Sequence, residues 1–133
     1  MDIQPIQDHL DQRFPALLGI KLLEVNPDCV RAELNARDDL STTPGTVHGG
    51  AVMGFADTLG ACATVLNLPP NAGTTTIESK TNFFRRLDVN KKVIGECTPL
   101  HKGRTTMVWQ TRITDEDGKL AAIVTQTQMV LNP

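Results

Sequence analysis

The stretch PGTVHGGAVMGFADTLGACATVL, Pro44 to Leu66, decides the fold. From about His48 to Leu66, Val52, Phe55, Leu59, Cys62 and Leu66 recur at spacings of three and four. That is one apolar stripe of an α-helix, ended by Pro69-Pro70. A second face collects Gly50, Met53, Gly54, Asp57, Gly60, Ala61 and Thr64 and, apart from Met53, has almost no bulk. Glycine costs about 1 kcal/mol relative to alanine in a helix interior. Three glycines on one face therefore predict that another helix, a ligand or both come close to the backbone.

Asp57 is the one charge on that face. An exposed helix face favours Glu, Lys or Gln over Gly. A carboxylate in this setting is a candidate to take a proton or attack an electrophile; the alternative is a solvated helix carboxylate. At the helix start, the N–H groups of the first turn have no intrahelical acceptor, and Gly49-Gly50 let a substrate oxygen approach them. Such donors can stabilise an oxyanion. His48 is beside them, either as a capping or packing residue or as a participant. Gly49 and Asp57 lie eight residues apart, about 12 Å along the axis. That is too far for both to act on one carbonyl carbon. If both are catalytic, they come from different copies of the helix, as in a symmetric dimer with two equivalent sites.

Outward from the helix, residues 5–13 predict a short amphipathic helix with Pro5 in its first turn. Residues 17–26 and 28–37 predict a strand hairpin across the turn residues Asn26-Pro27-Asp28. A loop covers 38–46. Four strands follow over 73–86, 91–101, 103–114 and 119–131, with turns at His101-Lys102-Gly103 and at 115–119. Strands flanking one long helix predict an α+β fold, an antiparallel sheet packed on and curling around that helix. Phe83, Phe84 and Trp109 are expected in the core, with Phe83 and Phe84 on opposite strand faces. Gly103 is expected to supply unusual backbone angles at its turn.

The 133 residues suit one domain, 1–133. A net charge of −2 and an aromatic set of four Phe, one Trp and no Tyr give no sign of a nucleic-acid partner. Three widely spaced cysteines, an odd count, form no disulfide framework and favour a reducing compartment. The acidic, polar start has no signal-peptide core, and no apolar run is long enough to span a bilayer. A cytoplasmic protein without membrane association is expected. His9, His48 and His101 are scattered, and no metal-ligand spacing is present.

With Gly45, His48, Gly49, Gly50 and Asp57 in place, the helix resembles the HGG signature of the hotdog-fold acyl-CoA thioesterases, the phenylacetate-pathway (PaaI-like) branch. That signature is roughly Asn-x-x-Gly-x-x-His-Gly-Gly with an acid nine residues after the His. TNFFRR (81–86) and PLHKGRTTMVWQTRITDEDGKLAA (99–122) resemble the family's later strands. The resemblance covers about residues 15 to 131. It implies a six-stranded antiparallel sheet wrapped around the helix. It also implies a homodimer paired into a homotetramer, and hydrolysis of an acyl- or aryl-CoA thioester, with no cofactor beyond the CoA of the substrate. Asp57 would be nucleophile or general base, and the Gly49 N–H would polarise the thioester carbonyl.

The chain departs from the pattern at Thr42, which stands where the family has Asn. Ala61 falls where some members carry Ser or Thr one turn after the acid. Others orient water from the following strand, where Thr76 falls. Glu78 reads as an outward strand carboxylate. Gly50 with Arg85, Arg86, Lys102 and Arg104 are the candidates for substrate and CoA binding, since cations at strand ends and turns suit phosphates; each basic residue could equally be solvated loop charge. Two other functions stay open. A hotdog hydratase or dehydratase would use His48 with an acid. A non-catalytic acyl-CoA-binding protein could dispense with the acid.

Overall fold

The computed structural model describes residues 1–133. The N-terminus forms two helices rather than one: α1 (Gln4–Leu10) and α2 (Phe14–Leu18). Pro15 sits in the first turn of α2, and Gly19, at φ 73°, ends it. Leu17 and Leu18, expected at the head of a strand, are therefore helical, and β1 begins only at Lys21 (Lys21–Asn26). β2 (Cys29–Asn35) returns antiparallel to it. The expected loop over 38–46 holds a 3-10 turn (Asp38–Leu40) and a small hairpin of β3 (Ser41–Thr43) and β4 (Thr46–Val47). Gly45, at φ 86°, makes the tight turn between them.

The central helix is α3 (Gly49–Val65), with His48 and Leu66 as caps. β5 (Gly73–Phe83), β6 (Lys92–Lys102), β7 (Thr106–Asp115) and β8 (Leu120–Leu131) follow. The six long strands form one antiparallel sheet in the order β1-β2-β6-β7-β8-β5. α3 touches β2, β5, β6, β7 and β8, so the sheet wraps around it as expected. His101 belongs to β6 rather than to a turn. Gly103 does not take positive φ. It is needed because a Cβ there would lie 2.8 Å from the Thr106 carbonyl oxygen and 2.6 Å from His101 Nε2.

The core lies between α3 and the sheet, where Phe55, Leu59, Trp109 and Ile113 are fully buried. Gly95 on β6 sets how close the helix comes. A Cβ there would sit 2.7 Å from Leu59 Cδ1 and 3.1 Å from a Phe55 ring carbon. Trp109 is core, as its sequence context predicts, and its Nε1–H donates to Thr64 Oγ1 at 2.8 Å. The Thr64 hydroxyl donates to the Gly60 carbonyl, so this buried polar pair is satisfied.

These contacts correct the helix-face reading. Gly60 and Thr64 face the sheet, not the open face. Leu66 is only half-buried at the helix end. No helix is long and apolar enough to cross a membrane.

Candidate active site

Asp57 projects from the middle of α3 toward β5 and β8. Thr76 on β5 donates its hydroxyl to Asp57 Oδ1 at 2.7 Å, and Gln126 on β8 donates its amide to the same oxygen at 3.0 Å. No protein donor reaches Oδ2. Behind Thr76, Gln128 donates Nε2 to Thr76 Oγ1 at 2.6 Å, and the single Thr74 hydroxyl proton is shared between Gln128 Oε1 at 3.0 Å and the Met129 carbonyl at 2.9 Å. That chain fixes the Thr76 proton toward the carboxylate, because its oxygen is already accepting from Gln128. Gln126 and Gln128 are each 1% exposed, so neither amide can turn out to water. Gln126 Oε1 has no donor.

Thr76, anticipated from its position on the following strand, thus meets Asp57 directly. The two glutamines are not among the candidates the sequence singles out. Their signal was present: in Ala122, Val124, Gln126, Gln128 and Val130, alternation places two amides on the apolar inward face of β8. Glu78 is exposed, beyond a bulge between Thr76 and Glu78. Ala61 adds no hydroxyl. Cys62 lies near Asp57 in the adjoining cleft, but burial pushes its thiol up to about 11, which leaves it protonated at neutral pH.

The start of α3 forms a second, separate cluster. His48 is the N-cap, and the Gly50 N–H donates to His48 Nδ1 at 2.7 Å. The capping alternative accounts for that ring nitrogen. The Gly49 N–H meets no protein acceptor. It borders a cavity of about 350 Å³ shared with Phe83, Phe84, Arg85 and Arg86. A Cβ at Gly49 would lie 3.0 Å from the Phe83 ring. Phe83 and Phe84, expected in the core, are instead 52% and 59% exposed and line this one cavity, because β5 ends at Phe83 and the chain leaves the strand there. Thr42 falls on the irregular pairing between Ser41 and Thr43, exposed, in the hairpin leading to His48. It belongs with the helix start, not with Asp57.

The four basic candidates divide. Arg85 and Arg86 stand by the helix start, with Arg86 paired to Asp88 at 2.9 Å. Lys102 and Arg104 stand at the opposite end of the sheet. The registers show this: Phe83 pairs with Ala122, whereas Gly73 pairs with Leu131 and Thr106 with Met129. The eleven residues of β5 separate the two pairs by about 30 Å. Lys102 is bonded to Asp28 in the β1–β2 turn. One chain therefore does not bring all four cations to one ligand.

A six-stranded antiparallel sheet wrapped around one long central helix defines the hotdog class of protein. The chain belongs to the thioesterase superfamily, whose sequence pattern matches residues 44–122. It is 31% identical over 112 residues to Rv1847 of Mycobacterium tuberculosis, a provisionally named esterase, covering 82% of this chain and 79% of that one. Among solved structures, a mutant of thioesterase PA1618 from Pseudomonas aeruginosa superposes with a TM-score of 0.92 at 26% identity, over 98% of this chain and 94% of that chain. A mutant of the phenylacetic acid degradation protein PaaI from Thermus thermophilus gives 0.78 at 26% identity, over 86% and 95%.

Proposed function

We propose that this chain hydrolyses an acyl- or aryl-CoA thioester to the free acid and CoA, with Asp57 as general base or nucleophile. The observation that carries this is the one-sided holding of the carboxylate. Thr76 and Gln126 both donate to Oδ1, which leaves Oδ2 available to a water or a thioester carbon. As general base, Oδ2 takes the proton of a water attacking the carbonyl carbon. As nucleophile, it bonds to that carbon and expels the CoA thiolate, and water then cleaves the mixed anhydride.

The Gly49 N–H is the proposed carbonyl donor, and it must come from a second copy because of the separation along α3. β5 is one of the two edge strands of the sheet, opposite β1, and exposes Ile77 at 53% and Phe83 at 52%. A bare edge of this kind supports pairing with a second copy. In such a dimer Arg85 and Arg86 would flank the CoA phosphates beside Gly49 and Gly50.

Asp57→Asn keeps the acceptor for Thr76 and Gln126 but lacks the base. Circular dichroism should be unchanged, while turnover across a panel of acyl- and aryl-CoAs should fall about 10²–10⁴-fold. Near-normal turnover would refute the assignment.

A further inference from the structure

The largest cleft in the chain, about 550 Å³, opens directly on Asp57 and lies away from the helix start. Its floor is the α3 face carrying Ala61, Cys62 and Val65, and its roof is Ile6, Leu10 and Phe14 of α1 and α2. Its other polar liners include His9 and Arg13, which are exposed and so stand at its mouth. We propose that this cleft is the acyl-chain subsite and that it selects a medium-length apolar acyl group. The proposal rests on the thioesterase reading of Asp57, and it assigns a role to the N-terminal helices, which lie outside the residues that define the family match.

Three observations bear on it. The roof is fixed. The Gln7 side chain donates to the Ile20 carbonyl at 3.0 Å and accepts from the Leu22 N–H at 2.8 Å, which ties α1 to the start of β1. Arg37 donates to the Leu17 carbonyl at 2.5 Å and ties down the end of α2. The volume is that of a small-molecule pocket, which typically spans about 300–1,000 Å³. The length is also set. Val65 lies eight residues beyond Asp57, about 12 Å along the helix. An extended chain advances about 3.3–3.6 Å per three bonds, so that span holds about ten bonds. An acyl chain of about eight to ten carbons fills the floor from the carboxylate to Val65, and longer chains emerge into water.

The test is kcat/KM for straight-chain acyl-CoAs from acetyl to myristoyl, on the parent and on Val65→Trp. Val65 is 58% exposed, so the fold tolerates the larger ring. For the parent, kcat/KM should rise about four-fold per seated methylene and level off near ten carbons. A tryptophan that displaces two methylenes should lower the ratio of decanoyl-CoA to acetyl-CoA cleavage about fifteen-fold. Cleavage that ignores chain length, or a profile unchanged in Val65→Trp, overturns the subsite and leaves the thioesterase reading standing. If no thioester is cleaved, the thioesterase reading fails instead. Calorimetry of decanoyl-CoA against acetyl-CoA then decides the cleft on its own: tighter decanoyl binding that Val65→Trp removes supports it, and equal affinities overturn it.

Discussion

Gly60→Ala separates the structure from a helical-wheel reading. On the wheel, Gly54 and Gly60 share one low-bulk face, so alanine should have the same effect at both, a helix-propensity gain of up to about 1 kcal/mol set against whatever packs on that face. In the structure they differ. A Cβ at Gly60 would overlap the whole terminal amide of Gln126, at 2.1 Å from Oε1, 2.2 Å from Cδ and 2.6 Å from Nε2. Gln126 is 1% exposed and has nowhere to swing. The methyl therefore costs about 1–3 kcal/mol in overpacking. Displacing Nε2 also breaks its hydrogen bond to the Asp57 carboxylate, a further ~1.5–3 kcal/mol. Less the propensity gain of about 1 kcal/mol, the net loss is ~1.5–5 kcal/mol.

At Gly54 the same methyl meets only Leu18 Cδ1 at 3.3 Å and a Phe14 ring carbon at 3.4 Å, both side-chain atoms able to shift. Gly54→Ala should lie between neutral and about 1 kcal/mol stabilised. Urea unfolding of the two variants and the parent reads the difference. In thermal melts each kcal/mol should move Tm by about 3–5 °C for a chain of this size. If Gly60→Ala is as stable as Gly54→Ala, the contact between Gln126 and α3 is not what requires glycine, and the argument for a buried amide behind Asp57 falls with it.

Two other outcomes are expected. Thr76→Val removes a donor to Asp57 and leaves the Gln128 Nε2 without its acceptor, so unfolding should become easier by about 1–3 kcal/mol and thioester turnover should fall, both read on one preparation by denaturant titration and steady-state assay. Among the thiols, burial holds Cys97 up at about 12 and Cys62 at about 11, whereas Cys29 is raised less and is half-buried. A chromogenic disulfide reagent at pH 8 should therefore label Cys29 first and the other two only on unfolding. The two buried thiols favour the folded state fully below their ordinary range near 9 and lose that contribution as pH rises toward 11–12, so alkaline unfolding should set in within that window.

The parts of this molecule that were legible in the sequence are those written in local periodicity and spacing. The apolar recurrence through Val52, Phe55 and Leu59 and the glycines around His48 place α3 and its cap to within a residue. Strand alternation places the last three strands to within about three residues. Two kinds of information were not local. The first is which way a small residue faces. The wheel puts Gly60 on the face with Asp57 and predicts a helix or ligand against it, and only the sheet across the interface, with an amide from 66 positions later in the chain, shows what fills that space. The second is how far apart two similar charges lie. Arg85 and Lys102 look interchangeable as cations at strand ends, and only the antiparallel register of β5, β8, β7 and β6 sends them to opposite ends of the sheet.

Both bear on the same question. The groups that support Asp57 come from β5 and β8 of its own chain, and the free N–H and the nearest arginines sit at the far end of α3. On the proposed reading, a carboxylate supported on one side, with the Gly49 N–H out of its reach in the same chain, would be half of a site. The edge strand β5 bears Thr76 near one end and Phe83 at the other, so pairing there is the arrangement the proposed dimer calls for, bringing the helix start of one copy toward the Asp57 of the other.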